Sequence, residues 1–146
     1  MPGPDAARGV IVANVSCVAI GERGVLIEGE PGSGKSSLAL ALIDRGSMLV
    51  GDDGVTLEIR DGRLWALPPP NIPGLIEVRN VGLVTLPACA APLALVIQLD
   101  PAAPRFIDSA EPVERAGHSL PLVALDPASP VLPLLVEYAL KTYGLG

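Results

Sequence analysis

The stretch GEPGSGKSS, Gly29 to Ser37, constrains what this chain can fold into more than any other. It comes after the apolar run GVLI and precedes LALALIDRG, so a buried strand enters a glycine-rich turn and leaves it as a helix. Gly29, Gly34, Lys35 and Ser36 satisfy the pattern G-x-x-x-x-G-K-S. Such glycines let successive backbone amides face phosphate oxygens, the lysine reaches the outer phosphates and the hydroxyl serves a divalent cation. The positive end of the helix dipole acts on the same point. Gly29, Glu30, Pro31, Gly32, Ser33, Gly34, Lys35, Ser36 and Ser37 are therefore the candidate nucleotide-binding residues.

At 146 residues and 49% hydrophobic content, the chain is long enough to bury a core of its own. We read residues 1–9 as a flexible N-terminus and residues 10–146 as a single domain. A formal charge of −6 leaves no basic stripe for nucleic acid and no polybasic segment for an anionic membrane. Cysteine occurs only at Cys17 and Cys89 and histidine only at His118, which argues against a disulfide framework or a zinc site and for a reducing cytoplasm. The start MPGPDAARGV lacks the basic and apolar regions of an export signal. The apolar run AAPLALVIQL is about half the length that a membrane span requires, so the protein is expected to be soluble.

Along the chain, NVSCVAI reads as a first strand and GVLIEG as a second, buried on both faces. The helix from Lys35 is expected to close at Gly46 in a left-handed conformation. SMLVGDDGV is a short strand ending in two carboxylates, and VTLEIRDGRLWAL is a hairpin around Asp61-Gly62. PPPNIPG reads as a stiff exposed loop, because proline lacks the amide donor. LIEVRNVGLVTL and LALVIQL follow, then a Pro-rich loop from Asp100 to about Gly117 and a strand near LPLVAL. A final helix from Val131 to Tyr143 places Leu132, Leu135, Val136, Ala139 and Leu140 on one face. We read Trp65 as a strand-packing residue, Cys17 as core, and Cys89 and His118 as loop residues.

Two adjacent carboxylates at a strand end, Asp52 and Asp53, permit two tasks, one beside a metal and one facing an acceptor hydroxyl. Glu77 and Arg79 share one side of a strand if alternation holds, with Ile76 and Val78 facing the core. That pair suits a cation shell and a transferring phosphoryl group, and equally a cross-strand salt bridge.

The three segments GVLIEGEPGSGKS, IDRGSMLVGDDGV and GLIEVRNVGLV, in this order and spacing, resemble the catalytic domain of the HPr kinase/phosphorylase family, most closely its short alphaproteobacterial form. The resemblance extends from about Val10 to Leu99. It implies an α/β phosphoenolpyruvate-carboxykinase-like phosphate-loop fold with a mixed β core. It further implies an ATP- and Mg²⁺-dependent protein serine kinase acting on the phosphocarrier HPr or an HPr-like protein, with reverse phosphorolysis, and a homo-oligomer, a hexamer in its relatives. Carried over, Asp52 becomes the catalytic base, Lys35 and Arg79 act on the transferring phosphate, and Ser36, Asp53 and Glu77 form the metal site. The family's histidine is Asn14 here, and its acidic residue after the loop serine is Ser37. In the downstream region where the family carries basic residues, APRFIDSAEPVERAG offers Arg105 and Arg115 among acids.

Two other classes remain open on the residues alone: a nucleotide-binding regulator with a degenerate kinase site, and a phosphate-loop hydrolase or small-molecule kinase. All three require the loop lysine. Replacing Lys35 by Ala is expected to abolish ATP binding in calorimetry, and unchanged binding would refute the phosphate-loop assignment.

Overall fold

A computed structural model describes residues 9–146. The flexible segment expected at residues 1–9 thus falls, apart from Gly9, outside the described residues. The strands are β1 (Val10–Ala13), β2 (Ser16–Ile20), β3 (Arg23–Gly29), β4 (Met48–Gly51), β5 (Gly54–Arg60), β6 (Arg63–Leu67), β7 (Leu75–Val78), β8 (Gly82–Thr85), β9 (Ala91–Leu99), β10 (Glu111–Arg115) and β11 (His118–Leu125). Helix α1 (Lys35–Asp44) follows β3, and α2 (Leu132–Tyr143) closes the chain.

A nine-stranded sheet has the path β1-β5-β6-β9-β3-β2-β4, with β10 and β11 attached beside β9. β3 and β11 pair with β9 in parallel, whereas β2, β5, β6 and β10 form antiparallel ladders, so the core is mixed as the resemblance implies. β7 and β8 form a separate two-stranded sheet.

The central residues of β3, Val25 to Ile27, and of β9, Leu93 to Ile97, are apolar because both faces are covered there. On one face Val25, Ile27, Leu95 and Ile97 pack against Leu38, Ala39 and Leu42 of α1 and Val136 and Leu140 of α2. On the other, Leu26 and Val96 meet Val55, Leu57, Leu64 and Leu120. The β3–β9 register shifts between Gly24 and Val25, leaving Ala94 as the extra residue. Its carbonyl accepts from the Leu145 amide at 2.9 Å, so the C-terminal tail satisfies it.

The end of α1 follows the sequence expectation. Gly46 adopts φ 109°, the Gly46 amide donates to Ile43 O at 3.0 Å and the Ser47 amide to Leu42 O at 3.0 Å. This is the Schellman arrangement, which needs a left-handed residue and turns the chain directly into β4.

The structure differs from the sequence reading at four places. β1 is a strand not anticipated; it pairs with β5, and Asn14, read as the start of the first strand, is a turn residue between β1 and β2. The stretch read as a loop up to Gly117 contains β10, and His118 opens β11. There Pro112 stands opposite Pro121, which concentrates their missing amides at one rung of the ladder. Arg79 lies in the turn after β7 rather than on the strand with Glu77. The last helix begins one residue later than expected, with Val131 as its cap.

Leu95 is fully buried on the α1 face. Leu95→Ala is expected to cost about 2–5 kcal/mol in denaturant unfolding, through lost burial and the cavity left behind.

Candidate functional site

The loop between β3 and α1 forms one wall of a cleft of about 460 Å³. Pro31, Gly32, Gly34, Lys35, Ser36 and Ser37 line it, facing Asn14, Asp52, Asp53, Ile72, Leu75, Glu77, Arg79 and Leu83. Gly34 takes φ 103° as it enters the helix, a backbone region costly for any residue with a Cβ. Lys35 Nζ donates to the carbonyls of Gly29 at 2.9 Å and Glu30 at 3.1 Å, so the lysine folds over its own loop. Ser33 sits apart, its Oγ buried with no hydrogen-bond partner among the described residues. Of the nine loop candidates, six face the cleft and Gly29, Glu30 and Ser33 do not.

Asp52 follows β4 directly and is 5% exposed. Its Oδ1 accepts from Ser36 Oγ at 2.6 Å and from Ser16 Oγ at 2.9 Å, and its Oδ2 accepts from the Glu77 amide at 3.1 Å. These donors come from the start of α1, from β2 and from β7. The β2–β4 register shifts between Cys17 and Val18, leaving Val50 unpaired just before the chain reaches Asp52. Bulges of this kind re-aim the residues that follow them.

Asp53 differs from its neighbour in every respect. It is exposed, adopts φ 60°, and its carbonyl accepts from the Asn14 amide at 3.2 Å. Asn14 is itself left-handed at φ 62°. Two turns, β1–β2 and β4–β5, therefore meet at the cleft and carry Asn14 and Asp53 into it. Glu77 and Arg79, both exposed, reach the cleft from the β7–β8 hairpin.

Among the described residues, no three His, Cys, Asp or Glu side chains converge into a ready-made metal cage. What is present is a set of hard oxygen donors, the Ser36 hydroxyl held by Asp52 with Asp53 and Glu77 in the same cleft. Such a set fits Mg²⁺, which keeps several waters and completes its octahedron with substrate phosphates.

Other candidates lie elsewhere. Arg115 forks onto Glu28 with bonds of 2.7 and 2.8 Å, which anchors the β10–β11 hairpin beside the end of β3. The hydrogen bonds that Arg115 donates to the Glu28 carboxylate raise its pKa further. Trp65 lies under the Arg60 guanidinium, 5.3 Å from the ring centre, and is not in the cleft. Cys17 is fully buried, and burial pushes its thiol pKa far up, as befits a core residue. Sequence reasoning missed Ser16 as part of the site. A polar side chain among the apolar residues of a doubly buried strand was the available signal.

The geometry defines a class first: a mixed α/β domain in which a glycine-cornered loop joins a buried strand to a helix, the architecture of phosphate-loop proteins. The model of the family described as HPr Serine kinase C-terminal domain matches residues 8–89, and the chain belongs to that family. The HPr kinase/phosphorylase of Clostridium novyi (strain NT) is 48% identical over 65 residues, 44% of this chain and 21% of that protein. That of Streptococcus thermophilus (strain ATCC BAA-491 / LMD-9) is 47% identical over 62 residues, 42% of this chain and 20% of that protein. The chain spans about a fifth of the length of the curated relatives it matches. The solved structure of the Hpr(Ser) kinase/phosphatase from Coxiella burnetii matches with a TM-score of 0.79 and 29% identity, covering 90% of this chain and 88% of that one. The fold is the one that the sequence resemblance implies. No helix among the described residues is long and apolar enough to cross a membrane.

Proposed function

We propose that this chain is an ATP- and Mg²⁺-dependent protein serine kinase of the HPr kinase/phosphorylase type, which transfers the γ-phosphate of ATP to a serine of HPr or an HPr-like protein. The observation that carries the reading is the division of the two carboxylates: Asp52 is buried against the loop serine, and Asp53 is open to the cleft beside Asn14.

This division favours a different allocation from the one carried over from the family resemblance. Asp52 already accepts three hydrogen bonds and is poorly placed to take a proton from an acceptor. We assign it to the metal side, acting with Ser36, and Glu77 completes that side. Asp53 becomes the general base. In the forward step the acceptor serine oxygen bonds to the γ-phosphorus as its proton passes to Asp53, and the bond from the γ-phosphorus to the bridging oxygen breaks to release ADP. Lys35 leaves the carbonyls of its own loop for the phosphates, and Arg79 lies where charge on the transferring group is to be stabilised. Mg²⁺, when bound, supplies Lewis-acid stabilisation of the phosphate oxygens. In reverse, Asp53 would take a proton from inorganic phosphate. Asn14 gives that carboxylate a neighbour that can hydrogen-bond but carries no charge.

The test is intact-mass analysis of purified HPr after incubation with this protein and Mg-ATP. Addition of one phosphoryl group is expected. With Asp53→Asn, kcat should fall by about 10²-fold or more while ATP affinity stays within a few-fold. Asp52→Asn should weaken Mg²⁺-supported ATP binding itself. The opposite pattern would return the base to Asp52. ATP binding without any phosphorylation of HPr would favour the nucleotide-binding regulator, for which Asn14 in place of the family histidine already speaks.

A further inference from the structure

We infer that Ser16 is a positioning residue of the metal side of the site: its hydroxyl holds the Asp52 carboxylate in the orientation that Ser36 and the cation need. The inference rests on the proposed metal and nucleotide site and assigns a function to a residue remote from the loop. Ser16 is 1% exposed, at the first position of β2. Apart from Ser47, it and Asp52 are the buried polar or charged residues among those described. A hydroxyl so deeply buried is retained in a strand core when it is hydrogen-bonded, and here Oγ donates to Asp52 Oδ1 at 2.9 Å.

The count of lone pairs gives this bond its role. An ionised carboxylate offers about four acceptor sites. Protein donors occupy three of those of Asp52: two on Oδ1 from Ser16 and Ser36, one on Oδ2 from the Glu77 amide. Oδ1 is thereby saturated and the remaining site lies on Oδ2, on the side of Glu77. Ser36 is mobile in this scheme, since its oxygen is also a candidate ligand, whereas Ser16 has no other task. If Ser16 is lost, Oδ1 depends on Ser36 alone, and the carboxylate can rotate away from the geometry that orients the serine oxygen. Such supporting partners commonly govern metal affinity by about 10- to 100-fold.

The experiment is calorimetric titration of ATP into the wild type, Ser16→Ala and Ser16→Cys, in a MgCl₂ series and in EDTA. For Ser16→Ala the Mg²⁺ concentration giving half of the gain in ATP affinity should rise about tenfold or more, with affinity in EDTA within about twofold. Ser16→Cys, nearly isosteric with a weaker donor, should fall between. An unchanged Mg²⁺ dependence would overturn the inference. So would an equal loss of affinity in EDTA, or loss of folding in both variants by circular dichroism, because Ser16 would then be structural only. A wild-type protein that binds no ATP in either condition would instead refute the proposed function on which the inference stands.

Discussion

One buried carboxylate ties the site together. Asp52 takes hydrogen bonds from Ser16 on β2, Ser36 at the start of α1 and the amide of Glu77 on β7, three elements that share no sequence proximity. A charge 5% exposed is stable in such a place only when its oxygens are satisfied. The constraint works in both directions. The carboxylate requires the three donors, and their convergence fixes where the phosphate loop stands relative to the β7–β8 hairpin that carries Glu77 and Arg79. Losing one donor would alter the relation between two sides of the cleft as well as one bond.

The neighbouring carboxylate is free because the backbone turns it away. Asp53 and Asn14 are both left-handed, and the amide of one meets the carbonyl of the other. Asn, Asp and His enter that region more readily than other residues with a side chain. The histidine that the resemblance implies at this position would suit the same turn, and Asn14 offers a neutral amide where that residue would offer a titratable ring. On the proposed mechanism, that separates the part of the site that shapes the backbone from the part that tunes the base.

The strand-loop-helix unit, the end of α1 at Gly46 and the aspartate pair after β4 were legible because each rests on local chemistry: glycine conformation, a capping motif, an apolar run. The β5–β6 hairpin was legible for the same reason. β1 was not, since VIVA is short, lies at the sheet edge and leaves Ile11 69% exposed, and its partner β5 lies far along the chain. β10 was hidden by Pro112, which argues against a strand until Pro121 is seen opposite it. The difference in burial and hydrogen bonding between Asp52 and Asp53, on which their proposed tasks rest, was equally out of reach. Adjacent carboxylates look alike in sequence, and only long-range hydrogen bonds tell them apart.

Charge explains why the proposed metal and nucleotide depend on each other. Lys35 and Arg79 line the cleft together with Asp52, Asp53 and Glu77. Arg115, a further cation that the sequence singled out, is committed to Glu28 and holds a hairpin in place. A polyphosphate entering alone would meet three carboxylates, offset only in part by Lys35, Arg79 and the positive end of α1. A divalent cation entering alone would meet no closed cage. Bound together, each removes the obstacle to the other: phosphate oxygens complete the cation's shell, and the cation screens the phosphates from the acidic side chains. On the proposed function, the acidic balance of the cleft, unfavourable for phosphate by itself, would select the metal-bound nucleotide, with Asp52, already held by protein donors, on the metal side.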